Sequence, residues 1–258
     1  MRRVKLYFAI VLLATTGYAF IFHKKQKPVL YIIGDSTVRN GDGSGKNGQV
    51  GWGSVIDVYF DTTKISVRNL AIGGRSSRTF ITDGRWDKIL ATLHKGDFVI
   101  MQFGHNDASP LDDTARARGT IKGVGMDSIE TYNPIRKMKE VVHSYGWYIR
   151  RYTNETKEKG AIAIVCSPVP RNNWKAGKIT RTEYAGWAKQ VAEETGAFFI
   201  DLNERIARKY EQMDTVNVNS FFPADHTHTN KEGAELNAQK VVEGIKDLQK
   251  CKLKKYLK

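Results

Sequence analysis

VLYIIG, residues 29–34, is apolar at every position before its glycine, the pattern of a strand covered on both faces. KISVRNL reads as a second strand, and GDFVIMQFG, AIAIVCSPV and AFFIDL as a third, fourth and fifth. Between them the apolar positions return every three to four residues. RWDKILATL puts Trp86, Ile89, Leu90 and Leu93 on one side of a helix. TRTEYAGWAKQVAEETG reads as a helix capped by Thr180 or Thr182 and stopped near Gly196, and NKEGAELNAQKVVEGIKDL as a closing helix. Further helices are expected over roughly residues 54–60 and from about residue 144 to Gly160. Five strands alternating with helices predict one α/β domain, a parallel sheet with helices on both faces. One stretch, residues 108–143, breaks the alternation. It holds Gly119, Gly123, Gly125 and an Asn133-Pro134 turn, around which IETYNPIRKMKEVV can form a hairpin. A long insertion after the carboxyl end of a strand lies where open α/β sheets bind ligands.

Composition adds bounds. The chain has 258 residues, 41% hydrophobic and 26% charged, enough for a sizeable core without disulfides. The net charge of +14 invites a nucleic-acid reading, but residues 1–27 carry six Lys/Arg and residues 250–258 five lysines, neither with an acid, so the body is only near +3. With no recognised nucleic-acid module, such a partner is not expected. MRRVK followed by the apolar residues 6–22, with small residues at Gly17 and Ala19, predicts export through a signal peptide over residues 1–19. An uncleaved anchor over residues 6–22 is the rival, and the only route to a membrane. The expected location is therefore periplasmic or secreted, with one folded domain over residues 28–249 and a basic tail over residues 250–258. Cys166 lies in an apolar run and Cys251 in the tail; the spacing supports neither zinc nor redox chemistry and leaves a disulfide open.

Candidate chemistry gathers at strand ends. Ser36 lies two residues past Gly34, where its backbone N–H can face a developing oxyanion, but a serine hydroxyl needs an adjacent base. FPADHTHTNKEG supplies one: Asp225 stands three residues before His228, just ahead of a helix, and can turn back to accept Nδ1–H, leaving Nε2 for a hydroxyl. His226 is read as shaping that loop. No third ligand cluster accompanies these histidines, so neither a metal nor a cofactor is expected. Gly74 in NLAIGGRSSR and Asn106 in QFGHND supply further oxyanion donors. GSGKNG at residues 43–48 starts too far beyond the first strand for a dinucleotide site, and no G-x-S-x-G elbow occurs. The sequon at Asn154 falls in an expected helix and is read as incidental. Arg75, Arg78, Arg116 and Arg118 can hold sugar carboxylates bidentately, or pair with Asp83, Asp112 or Asp113. Trp52, Trp147 and Trp174 can stack on sugars or pack inside.

Taken in order, Gly34-Asp35-Ser36-Thr37, Gly73-Gly74-Arg75-Ser76, Gly104-His105-Asn106-Asp107 and Asp225-His226-Thr227-His228 resemble the four blocks of the SGNH (GDSL-type) hydrolase superfamily over residues 29–245. Thr37 departs from the leucine of the superfamily's name, and the set is similar to its rhamnogalacturonan acetylesterase branch. The resemblance implies a flavodoxin-like three-layer sandwich and cofactor-free removal of acetyl groups from galacturonosyl residues of pectin. It implies Ser36 as nucleophile, His228 as base, Asp225 as its orienting acid, and the Ser36 N–H, Gly74 N–H and Asn106 side chain as oxyanion donors. The expected partner is an acetylated acidic polysaccharide, met by a monomer. The alternatives are an acetylesterase for xylan or a small acetylated metabolite, and a non-catalytic pectin-binding module. The polar stretch DDTARARGTIKGVGMDSIE favours a sugar over a long acyl chain.

Overall fold

The computed structural model describes residues 27–40, 45 and 47–258. The expected export signal or anchor, and most of the glycine-rich loop at residues 43–48, lie outside the described residues. Strand β1 (Val29–Gly34) leads through two single 3-10 turns, Trp52–Ser54 and Asp57–Tyr59, to β2 (Ser66–Asn69). Helices α1 (Ser77–Thr82) and α2 (Arg85–Leu90) precede β3 (Phe98–Gln102). The insertion carries the hairpin β4 (Ser128–Asn133) and β5 (Met138–His143), and then come α3 (Tyr145–Glu158) and β6 (Ile162–Cys166). A small ribbon, β7 (Trp174–Lys175) and β8 (Lys178–Ile179), precedes α4 (Glu183–Thr195) and β9 (Phe198–Ile200). Helices α5 (Leu202–Glu211), α6 (Thr215–Ser220) and α7 (Lys231–Asp247) and a last 3-10 turn, Lys252–Tyr256, complete the chain.

The main sheet is parallel in the order β2-β1-β3-β6-β9. Its period-2 alternation sends Leu30, Ile32, Phe98, Ile100 and Ile164 into one core layer and Tyr31, Ile33, Val99, Met101 and Val165 into the other. Residues of α5 and α7 fill the first layer and residues of α1 to α4 the second. Each such side chain fully buried contributes about 1.5–3 kcal/mol of transfer free energy, and both faces of β1 are covered, as its unbroken apolar run predicts. The flavodoxin-like order reverses direction between β1 and β3, the switch point at whose carboxyl end ligands bind.

Local signals act as expected in most places. Thr182 caps α4, its side chain accepting from the Tyr184 N–H, and Gly196 ends the helix at φ 64°. The Asn133-Pro134 turn closes the hairpin, with Asn133 opposite Met138. The helix expected over residues 54–60 is instead the pair of 3-10 turns. Gly53 donates to the Val38 carbonyl, which ties the segment to the loop after β1 and leaves it too short to nucleate an α-helix. The basic end of the chain folds onto the domain: Cys251 and Leu253 join the core, and the Asp61 N–H donates to the Tyr256 carbonyl at 2.8 Å. Cys166 and Cys251 are both buried free thiols. Trp52 is fully buried, which removes it as a sugar platform. Trp147 stacks on His143 at 3.9 Å, and Trp174 donates to Asn172 at 2.8 Å.

Candidate active site

β1 stops at Gly34 because nothing larger fits there: a Cβ would lie 2.6 Å from both the Gln102 carbonyl and a Val38 methyl. The chain turns at once, with Val38 and Arg39 N–H both donating to the Asp35 carbonyl, and Ser36 stands at the top of that turn. Its Oγ is 2.7 Å from His228 Nε2, although the two residues are 192 positions apart. His228 Nδ1 is 2.7 Å from Asp225 Oδ2, while Asp225 Oδ1 accepts from the backbone N–H groups of Thr227 and His228. Burial works against the Asp225 charge, but these hydrogen bonds and the His228 charge outweigh it and lower its pKa. An ionised Asp225 requires the Nδ1–H tautomer, which leaves Nε2 as the acceptor for the Ser36 hydroxyl.

Two of the expected backbone donors are unoccupied. Among the described residues, neither the Ser36 N–H nor the Gly74 N–H has a protein acceptor. Gly74 adopts φ 71°, a left-handed conformation, and Arg116 packs against its open side: a Cβ on residue 74 would fall 1.3 Å from Arg116 Nη1. The third donor is held from both ends. Asn106 Nδ2 donates to the Arg75 carbonyl at 3.0 Å, and Arg118 donates to Asn106 Oδ1 at 3.2 Å. This fixes which end of the amide carries nitrogen and leaves one N–H free.

The four arginines part company. Arg78 is fully buried and bound to Glu140 at 2.9 Å and to the Leu111 and Gly119 carbonyls. Its expected contact with substrate is therefore corrected: a guanidinium closed off from solvent on every side cannot meet a polymer. Arg75 is paired with Asp83 at 2.6 Å and Arg118 with Asp113 at 2.8 Å. Arg116 is exposed, and among the described residues it has no ion pair.

Beneath the site runs a buried chain that motif reading did not single out. Trp52 donates to Gln102, Gln102 to Thr37, and Thr37 to Asp35, each within 2.9 Å. Asp35 Oδ2 faces His105 Nδ1 at 3.1 Å, and His105 Nε2 faces the Val169 carbonyl at 2.9 Å. Burial opposes ionisation of Asp35, yet the charge and hydrogen bond of His105, with the bonds from Thr37, lower its pKa. The chain locks the Ser36 turn to the Asn106 loop. Arg171 then ties the Asn106 loop to the His228 loop, donating to the His105 carbonyl and to Thr227 Oγ1. Gln49 reaches Asp225 at 3.4 Å, and Val50 and Thr229 exchange two hydrogen bonds. Asp35, Thr37, His105 and Asp107 sit inside the recognised blocks, so their signal was proximity; Gln102 and Arg171 carried none. A cavity of about 310 Å³ lies beside Gly104, His105 and Arg171; Ser36 and His228 are partly exposed and do not line it.

A strand-end serine joined to a histidine-aspartate pair from a distant loop, on a flavodoxin-like sheet, fits an ester hydrolase of the SGNH type. Residues 32–236 match the GDSL-like Lipase/Acylhydrolase family, and the chain belongs to it. It is 33% identical over 219 residues to the rhamnogalacturonan acetylesterase of Emericella nidulans, covering 84% of each chain. It is 31% identical to the probable rhamnogalacturonan acetylesterase YesY of Bacillus subtilis, covering 85% of this chain and 93% of that one. Among solved structures, protein YXIM of Bacillus subtilis superposes with a TM-score of 0.69 at 25% identity, over 86% of this chain; the chain spans 56% of that protein. The acetylxylan esterase Axe2 of Geobacillus stearothermophilus shares the fold, with a TM-score of 0.57 at 20% identity over 86% of this chain and 95% of that one.

Proposed function

We propose that this protein is an exported serine esterase that removes O-acetyl groups from an acidic pectic polysaccharide, with rhamnogalacturonan as the preferred substrate. The observation that carries the reading is the unbroken Ser36–His228–Asp225 relay, and the Ser36 and Gly74 N–H groups, without a protein acceptor among the described residues, support it. In this reading Ser36 Oγ attacks the acetyl carbonyl carbon as its proton passes to His228 Nε2. The oxyanion accepts hydrogen bonds from the Ser36 N–H, the Gly74 N–H and the free Asn106 N–H. The tetrahedral centre collapses, the bond to the sugar oxygen breaks, and that oxygen takes the proton from Nε2. Water then attacks the acetyl-serine carbonyl carbon as its proton passes to His228 Nε2. The second tetrahedral centre collapses, the bond to Ser36 Oγ breaks, Oγ takes the proton back from Nε2, and acetic acid is released and ionises to acetate.

The acidic substrate is supported by Arg116. Its unpaired guanidinium lies against Gly74, where it can hold a galacturonate carboxylate next to the reacting ester. The names of the two curated relatives point to the same polymer. The test is acetate release from acetylated rhamnogalacturonan, acetylated xylan and long-chain acyl esters by the parent and by Ser36→Ala. Rhamnogalacturonan should be the best substrate, and Ser36→Ala should release no acetate above background. Faster release from xylan would reassign the polymer, and pectin binding without release of any acetyl group would make the chain a binding module.

A further inference from the structure

The amino-terminal edge of the sheet, at the far end of β1 from Ser36, holds a cavity of about 860 Å³. Val29, Phe98 and Ile162, the first residues of β1, β3 and β6, line it with the rings of Tyr31 and Tyr256. So do five exposed cations from distant segments: Lys27, Arg68, Lys95, Lys252 and Lys255. Among the described residues none of the five is in an ion pair. Arg68 lies over the Tyr31 ring at 5.9 Å and Lys255 over the Tyr256 ring at 4.9 Å. The one carboxylate lining the cavity, Asp97, is turned inward. It is 4% exposed, and its two oxygens accept from the Val29 N–H at 2.7 Å and the His94 N–H at 2.9 Å.

Five like charges around one concavity repel one another when it is empty and draw an anion into it. A volume of this size encloses a ligand of several rings, since such sites span about 300–1,000 Å³. Four of the five cations are lysines, point charges on flexible stems, which suit a repeating run of anions better than a single carboxylate held in one geometry. The partly exposed ring of Tyr256 offers a flat face to a sugar ring, while the buried Tyr31 ring forms the floor. We propose that this cavity is a second, non-catalytic binding site for a polyanionic sugar chain, an oligo-uronate. The choice of a sugar chain rests on the acidic-polysaccharide reading above, and the preference for an anion rests on the cavity alone. With β1 six residues long, the two ends of the sheet are about 20 Å apart. The cavity would therefore hold the polymer while another stretch of it enters the cleft, raising the local concentration of acetyl esters.

The test compares the full-length parent with Lys95→Glu/Lys252→Glu/Lys255→Glu and with the matching triple Lys→Arg variant, measuring binding of unesterified oligogalacturonate by calorimetry. The charge-reversed protein should bind about tenfold or more weakly, added salt should weaken the parent, and the arginine variant should bind like the parent. Neutral xylo-oligosaccharide should bind none of them. No oligogalacturonate binding by the parent, or equal binding by the charge-reversed variant, would overturn the proposal. Lysine-dependent capture of anionic lipid vesicles without oligogalacturonate binding would overturn it in favour of a membrane surface. Hydrolysis of p-nitrophenyl acetate is read on the same samples and should be equal in all three proteins. Ester hydrolysis without oligogalacturonate binding removes the second site and leaves the esterase, whereas lysine-dependent binding without any ester hydrolysis does the reverse.

Discussion

A carboxamide stabilises an oxyanion only if one of its N–H bonds is free and the group is held still. Asn106 meets both conditions through its two neighbours, the Arg75 carbonyl on one side and the Arg118 guanidinium on the other. Asn106→Ala should lower kcat by about 10²–10³ and leave KM nearly unchanged, because the donor acts on charge that exists only in the transition state. Arg118→Ala removes the clamp but keeps the donor, so its loss in kcat should be smaller and again without a rise in KM. Steady-state kinetics on a small acetyl ester and on the polymer separate the possibilities. If Arg118→Ala raised KM for the polymer alone and left kcat intact, Arg118 would be a substrate contact and not a positioning residue.

At the scale of elements, the β4–β5 hairpin is a projecting unit whose apolar side chains Ile129, Tyr132, Met138 and Val141 are all about half exposed. It has little core of its own, and the buried pair between Arg78 on α1 and Glu140 on β5 fastens it. Glu140→Gln leaves a buried guanidinium without its counter-charge and should destabilise the protein by about 3–5 kcal/mol in denaturant unfolding. Arg78→Met with Glu140→Leu should recover most of that loss, because no buried charge then lacks a partner. The hairpin itself could be read from Asn133-Pro134, as β1, β3 and β6 could from their buried apolar runs and α4 from Thr182 and Gly196. The fastening could not. An arginine four residues past Gly74 reads as a cleft residue, and only the fold shows that α1 carries Arg78 inward toward β5. The Ser36–His228–Asp225 contacts were legible because each residue sits in a short local block. The 3-10 turns at residues 52–59 and the docking of residues 251–257 were not, since both depend on contacts between segments almost 200 positions apart, such as Phe60 with Leu257.

For the molecule as a whole, the pH dependence of folding should bear the mark of Asp107. This residue is fully buried and follows Asn106, its Oδ1 accepting from the N–H and hydroxyl of Ser77 while Oδ2 has no hydrogen-bond partner among the described residues. Burial drives its pKa up to about 7 and the nearby Asp35 charge adds to the rise, against the opposing hydrogen bonds from Ser77 and Gly104. In the unfolded chain the same carboxyl titrates at its ordinary value of 3.8. Between roughly pH 4 and pH 7 the folded protein therefore keeps a proton that the unfolded chain has lost, and stability declines as pH rises. The contribution is complete below the unfolded value and gone once pH passes the folded one. Asp35 and Asp225 act in the opposite sense, but their lowered pKa values confine their loss of stability to pH below about 4. His143, whose pKa burial lowers, adds stability as pH rises through the ordinary histidine range, so the parent's curve alone mixes two signs. The difference between proteins isolates one. Asp107→Asn carries no proton to lose, so the Tm of the parent minus that of Asp107→Asn should fall steadily from pH 4 to pH 7 and level off above it. A difference that stayed flat across that range would mean that Asp107 is ionised in the folded protein, and that an unrecognised donor satisfies its second oxygen.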